Sequence, residues 1–204
     1  MSKIVDSEAL LRACIQDLAA GKQLLVRHVP SLKKHVTEPV LRGLVAEIAT
    51  TADAQATRLR ATGLAEGGPT NLWMTGILDD AARDTRTTAP GPLLDLALIG
   101  ALRKARAAEI VSADTAIALA DAMSWADVRE EVVVIRAAEQ TSDLALAARL
   151  DPLAQAAASL PPCRHGGIGG MVVGGGVALA AASLASWMYW ARQDRRRENA
   201  RASG

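Results

Sequence analysis

Apolar side chains recur at intervals of three and four residues through four long stretches of this 204-residue chain. This spacing is typical of amphipathic α-helices, each of which must bury its apolar face against another element. Ala and Leu are the main apolar residues and Phe is absent, which favours helices over strands. We predict long helices at 7–36, 38–62, 93–123 and 124–150, and a short connecting helix at 71–85. Two helical hairpins joined in this way predict an all-α four-helix bundle.

Local signals mark the expected ends of these helices. Pro30 is expected to kink the first helix or to divide it in two, because proline lacks a backbone N–H. Thr37 is a candidate N-cap of the second helix, with Pro39 in its first turn. Ser124 and Asp127 have the spacing of a capping box, which predicts that Ser124 caps the fourth long helix.

The predicted inward faces carry residues that are unusual in an apolar core. Gly21 lies on the inward stripe of the first helix, although glycine within a helix costs about 1 kcal/mol relative to alanine. Glu109 and Glu139 lie on the inward stripes of the third and fourth long helices. Buried ionised carboxylates need compensation. We therefore expect the two to share a proton, to pair with a cation such as Arg106, or to lie near water.

Inward carboxylates in a helical bundle suggest a di-iron centre. Such a centre takes one Glu from each of two helices and a Glu-x-x-His pair from each of the other two, because residues i and i+3 share a face. No Glu in this chain has His three residues later. His28 and His35 fall on the inward stripe of the first helix, where single histidines are more often core or surface residues than ligands. The sequence therefore lacks the di-iron pattern.

Four stretches of the predicted helices share the residue order of a known protein family. They read KQLLVRHVP, LVAEIATTADAQATRL, LIGALRKARAAEIVSADTAIALA and RAAEQTSDLAL. Together they resemble the YciE/YciF family of ferritin-like bacterial stress proteins, over roughly residues 7–150. The resemblance implies a ferritin-like bundle, usually dimeric, with a metal site and a role in stress responses.

The match to this family is informative chiefly through its departures. Where the family typically reads AEKQLL, this chain reads AGKQLL, so that Gly21 stands where an inward Glu is implied. Where the family has EHYE, this chain has RAAE. Glu109 is kept, whereas Arg106 and Ala107 replace the implied Glu and His.

Further implied ligands are absent from the second helix. Ile48 and Thr51 stand where the family has His and Glu, which leaves Asp53 and Gln55 as the polar matches. In the fourth long helix Glu139 is retained. Most of the ligands that the resemblance implies are therefore missing.

Glu109 and Glu139 remain as the candidate metal ligands of this chain. A site built on these two residues would have few donors and little affinity. There are two other interpretations of these glutamates. They are a polar remnant that binds no metal, or the predicted inward faces of their helices are wrong. We expect no cofactor, with iron or another divalent metal as the alternative.

Residues 166–191 differ from the rest of the chain because they contain no charged side chain. About 20 apolar residues span the hydrocarbon core of a bilayer as a helix. Trp187, Tyr189 and Trp190 near its end, followed by Arg192, fit an aromatic interface belt and a basic anchor. We predict a transmembrane helix at 166–191, with a buried helix of a soluble domain as the alternative.

A small residue stands at every fourth position of this segment, which predicts a smooth ridge along one face. Such a ridge lets two membrane helices approach closely. The ridge residues are Gly166, Gly170, Gly174, Ala178, Ala182 and Ser186. Self-association through the ridge is one interpretation; the other is that Gly and Ala are simply common in membrane helices.

The predicted organisation is a ferritin-like bundle at 1–150, a linker containing Pro and Ala at 151–165, the transmembrane helix, and a basic tail at 192–204. Cys163, in the linker, is a candidate for acylation or cross-linking. The formal net charge of +1 includes a local +3 in the basic tail and leaves about −2 for the rest of the chain, which makes a nucleic-acid partner improbable for the bundle. The N-terminus has no apolar region of the kind found in signal peptides.

The expected function is that of a membrane-anchored, stress-associated bundle with a degenerate metal site, acting as an interaction or structural module and not as an enzyme. The alternative is a membrane-bound ferritin-like di-iron protein that binds or oxidises iron. Membrane lipid and a second copy of the chain are the expected partners. We expect a single-pass protein of the bacterial inner membrane, with its bundle in the cytoplasm, although the basic tail by itself argues for the opposite topology.

Overall fold

Residues 4–161 are described by the computed structural model, and they form six α-helices without any β-strand. In chain order the helices are α1 (Ser7–Lys33), α2 (Pro39–Ala61), α3 (Leu72–Thr87), α4 (Pro92–Ala122), α5 (Ala126–Ala147) and α6 (Leu150–Ala158). The prediction of an all-α bundle is confirmed.

The four long helices form two hairpins that pack on each other. α1 pairs with α2, and α4 pairs with α5. The hairpins meet where α1 packs on α4 and α2 packs on α5. α3 connects the hairpins, as the sequence predicted for this segment, and it lies against α1 and α4.

The apolar core is divided into two clusters along the bundle. On α1, Leu18 belongs to one cluster and Leu25 to the other, and the fully buried Lys22 lies between them. On α4, Glu109 lies in the same way between Ala105 and Ala113. A polar layer therefore crosses the bundle between two apolar layers.

The α1–α2 connection is fixed by a buried carboxylate and differs from the predicted cap. Glu38, not Thr37, is the N-cap of α2, and its side chain accepts a hydrogen bond from the backbone N–H of Leu41. The Thr37 hydroxyl instead donates to Oδ2 of Asp95 at 2.6 Å. Asp95, fully buried near the start of α4, also accepts from the backbone N–H groups of Thr37 and Glu38. Thr37 was misassigned because its hydroxyl binds across the fold to another helix.

Pro30 lies inside α1 and does not divide it. It occupies the last turn, so only a local backbone hydrogen bond is lost. α1 ends at Lys33, earlier than the predicted residue 36.

The predicted capping role of Ser124 is wrong. Ser124 has a φ of 59°, and Trp125 occupies the N-cap position of α5 without a side-chain cap. The backbone N–H of Trp125 donates to the carbonyl of Ala120, and that of Ser124 to the carbonyl of Asp121. This pair of bonds is the Schellman motif, so Ser124 ends α4 in the left-handed conformation instead of starting α5.

The segment predicted as a linker at 151–165 begins with a helix. α5 ends at Ala147, short of the predicted residue 150, and α6 follows from Leu150. Leu153 on α6 is buried in the apolar cluster that includes Leu25. The first compact unit of the chain accordingly extends to Leu160.

No helix within residues 4–161 is long and apolar enough to cross a membrane. The predicted transmembrane helix at 166–191 lies outside the described residues, together with its small-residue ridge and its aromatic belt. Cys163 and the basic tail lie outside them as well.

Candidate functional site

Four charged side chains are buried together in the polar layer of the bundle. We call them the central charge cluster, and its members are Lys22, Arg106, Glu109 and Glu139. The side chains are at most 1% exposed. Full burial of ionised groups is rare unless they are paired, so their mutual contacts decide what the site can do.

The two carboxylates and the two cations alternate around a closed ring. The Lys22 ammonium lies 2.8 Å from Oε1 of Glu109 and 2.6 Å from Oε1 of Glu139. The Arg106 guanidinium places Nη2 3.0 Å from Oε2 of Glu109, and its Nη1 contacts Oε2 of Glu139. Each carboxylate thus bridges both cations, and each cation bridges both carboxylates. The formal charges of the cluster sum to zero.

All four long helices contribute to this layer. Lys22 comes from α1, Arg106 and Glu109 from neighbouring turns of α4, and Glu139 from α5. The i, i+3 spacing puts Arg106 and Glu109 on one face. Gln55, buried on α2, completes the layer. The cluster therefore links both hairpins through charged side chains.

The two carboxyl groups respond differently to the same surroundings. Burial raises the pKa of Glu109, against the opposing charges of Arg106 and Lys22, while the charge of Glu139 raises it further. Burial also acts to raise the pKa of Glu139, but the charges of Arg106 and Lys22, together with the hydrogen bond from Lys22, outweigh it and lower the pKa from 4.5 to about 2. Glu139 is therefore the carboxylate that the cations hold most firmly in its charged form.

Gly21 faces the cluster, as the sequence predicted, and a neighbouring side chain fills the space beside it. A Cβ at this position would lie 3.2 Å from Nδ2 of Asn71 and 3.8 Å from Oε1 of Glu109. Asn71 is held in place because it donates to the carbonyl of Asp17 at 2.9 Å and caps α3 by accepting from Met74 N–H. Gly21 thus allows the start of α3 to approach α1 closely.

The structure brings together Glu109, Glu139 and Arg106, and the expected pairing of the carboxylates with Arg106 is present. His28 and His35 are exposed, so their predicted inward position is wrong. The buried face of α1 instead includes Val29 and, just beyond the helix, Val36. Other positions of the predicted inward face, among them Gly21, are buried.

Lys22 is the site residue that sequence reasoning missed. A lysine is normally assigned to the solvent face, because its ammonium is costly to bury. The signal was nevertheless present in the spacing, because Ile15, Leu18, Lys22, Leu25 and Val29 alternate at intervals of three and four residues. Of the polar matches on α2, Gln55 is buried and Asp53 is exposed.

The donor set of the cluster does not fit a metal centre. No group of three or more His, Cys, Asp or Glu residues within the described part of the chain could hold a metal ion. All four carboxylate oxygens of Glu109 and Glu139 contact Lys22 or Arg106. A metal ion at this place would have to displace a buried cation and would find only two carboxylates as ligands.

No protein-family model and no curated protein matches this chain. Among solved structures it is similar to the E. coli stress protein YciF, at 18% identity and a TM-score of 0.71, over 74% of this chain and 99% of that chain. The chain has the fold of YciF. It is also similar to YcfI, named as a candidate structural protein from Rhodopseudomonas palustris, at 20% identity and a TM-score of 0.67, over 71% of this chain and 94% of that one.

Replacement of Gly21 by Glu should destabilise the bundle. The new carboxylate would meet Asn71 and Glu109 and would give the buried cluster a net negative charge. We expect the free energy of unfolding to fall by about 3 kcal/mol or more. Urea unfolding followed by circular dichroism measures this loss.

The matched control is Gly76→Glu in α3, where an added Cβ meets nothing within 4 Å. It should change stability by less than about 1 kcal/mol. Equal stabilities of the two variants, or a gain in stability of Gly21→Glu on addition of divalent metal, would contradict this account.

The lowered pKa of Glu139 predicts a loss of stability in acid. Because the folded-state pKa lies below 4.5, the contribution of Glu139 is complete above pH 4.5 and is lost as the pH falls towards about 2. The loss should be on the order of 3 kcal/mol. The raised pKa of Glu109 acts in the opposite sense, since stability associated with its protonated form is lost as the pH rises.

Urea unfolding at a series of pH values compares the wild type with Glu139→Gln. The variant should show a shallower fall of stability between pH 4.5 and 2, whereas the exposed control Glu130→Gln should keep most of the wild-type slope. Parallel curves for the wild type and Glu139→Gln would show that Glu139 does not carry this pH dependence.

Proposed function

We propose that this protein is a membrane-tethered, stress-associated bundle of the YciE/YciF type that acts as a structural or interaction module and not as a metal-dependent oxidase. In this proposal the bundle presents its surface to partners, while its centre keeps the helices in register. The C-terminal segment anchors the bundle to the bacterial inner membrane, with the bundle on the cytoplasmic side.

The closed ring of the central charge cluster is the observation that supports a non-catalytic function. A dinuclear oxidase needs open coordination positions and carboxylate or imidazole donors around each metal. Here the Lys22 ammonium and the Arg106 guanidinium engage every oxygen of the two buried carboxylates. Arg106 cannot give up its charge under physiological conditions, so it cannot free these oxygens by deprotonation.

The stress-associated part is supported by the fold. Nearly the whole length of the E. coli stress protein YciF is matched by this chain. Because the identity is 18%, the likeness supports the architecture, and the role in stress is proposed by analogy.

The membrane part is supported by the sequence of residues 166–191, which is uncharged and ends in aromatic residues followed by Arg192. The small-residue ridge within it would allow two copies of the chain to pair in the bilayer. We propose a homodimer held in this way.

Fractionation of cells that express the full-length chain tests the membrane part. The protein should remain in the membrane pellet after a carbonate wash and should be released by detergent. The double variant Val177→Asp, Leu184→Asp should shift to the supernatant, because each aspartate near the middle of a membrane helix costs about 3 kcal/mol of insertion free energy.

The control is Leu160→Asp, which places one such aspartate outside the predicted span at an exposed position. This variant should stay in the pellet. Recovery of the wild type in the supernatant without detergent would overturn the membrane proposal. Protease digestion of sealed vesicles then tests the orientation, and the proposed topology requires a bundle that is protected in right-side-out vesicles.

A further inference from the structure

We infer that Lys22 and Arg106 occupy the two cation positions of a carboxylate-bridged dinuclear centre, so that the bundle carries two built-in organic cations in the place of metal ions. This inference rests only on the metal-free part of the proposed function. It does not depend on the membrane segment or on a role in stress.

The bridging pattern is the first argument. In a dinuclear carboxylate centre, a bridging carboxylate gives one oxygen to each cation. Glu109 and Glu139 do the same here: both Oε1 atoms contact the Lys22 ammonium, and both Oε2 atoms contact the Arg106 guanidinium. Pairing each carboxylate with its own single cation would not give this arrangement.

The position of the cluster is the second argument. It lies at the middle of the bundle, where side chains from facing helices build metal and cofactor sites in bundles of this kind. Apolar clusters on both sides screen it from water. Two adjacent carboxylates in such a dry layer require nearby positive charge, which a metal ion or a protein cation can supply.

The shapes of the two cations fit the two positions. The guanidinium of Arg106 is planar and carries two terminal nitrogens, so Nη2 can lie beside Glu109 while Nη1 contacts Glu139. The ammonium of Lys22 is a compact charge with three donors, and it serves both carboxylates from one atom. Each of the two side chains contacts both glutamates, so Lys22 and Arg106 close the ring of ion pairs by themselves.

The inference predicts that the Arg106 position accepts an external cation once its side chain is removed. In Arg106→Ala, Oε2 of Glu109 and Oε2 of Glu139 would face a vacated volume inside the bundle. We expect the Tm of the full-length protein in detergent to fall by about 10–15 °C, because a buried ion-pair network has lost one partner. Addition of Mn²⁺, Zn²⁺ or methylguanidinium should recover much of this loss.

Three further proteins make the test specific. Arg106→Met fills the same volume without charge, so it should lose stability and should not respond to added cations. The triple variant Arg106→Ala, Glu109→Gln, Glu139→Gln should not respond either, because the anionic oxygens are gone. Arg58→Ala, which breaks an exposed ion pair with Glu131, should change the Tm little and show no cation response.

Cation-dependent recovery of Arg106→Ala alone, with metal bound near one equivalent per chain, supports the inference. Absence of recovery, or equal recovery in the triple variant, overturns it, and so does an Arg106→Met protein as stable as the wild type. If Arg106→Ala does not fold, the soluble yield after refolding with and without Mn²⁺ replaces the Tm. Equal yields then count against the inference.

Discussion

Two glutamates at the centre of a helical bundle impose the constraint on which the rest of this structure depends. Glu109 and Glu139 are withdrawn from water, and ionised carboxylates in such a place require positive charge within a few ångströms. Lys22 and Arg106 provide that charge from α1 and α4. The packing of one hairpin on the other is therefore tied to the geometry of a single ring of ion pairs.

We interpret the cluster as contributing more to the specificity of the fold than to its stability. A complete buried ion-pair network is often no more stable than an apolar replacement, whereas loss of one partner costs about 3–5 kcal/mol. A helix that slid by one turn would separate Lys22 or Arg106 from the carboxylates and meet that penalty. We therefore interpret the polar layer as the element that sets the register of the four long helices, between two apolar layers that supply most of the driving force.

The sequence predicted the architecture well because helical periodicity is a local signal. The two hairpins, the connecting helix and the inward positions of Gly21, Glu109 and Glu139 follow from it. The ends of the helices were less predictable. Thr37 binds Asp95, which lies far away in sequence. Ser124 adopts a left-handed backbone conformation that a serine does not predict. Both depend on contacts or backbone geometry that a capping pattern does not contain.

The candidate site was predicted in part, and the missing part has a physical cause. Arg106 was recognised as a partner because it stands one turn from Glu109, whereas Lys22 lies on another helix and belongs to the residue type most often found at the surface. Lys22 lies within the apolar stripe of α1, and this position is the sequence signal for its burial. The signal becomes convincing only when the cost of burying a lysine is compared with the stabilisation gained by neutralising two carboxylates. The predicted membrane helix at 166–191 lies outside the described residues and stays a prediction.

The metal content of the full-length protein tests the central claim most directly. The protein would be purified in detergent from cells grown with added iron and manganese, analysed by mass spectrometry for bound metal, and melted with and without a chelator. The account predicts far less than one equivalent of metal per chain and the same Tm in both melts. One or two equivalents of metal, lost in Glu109→Gln, Glu139→Gln, together with a lower Tm in chelator, would contradict it.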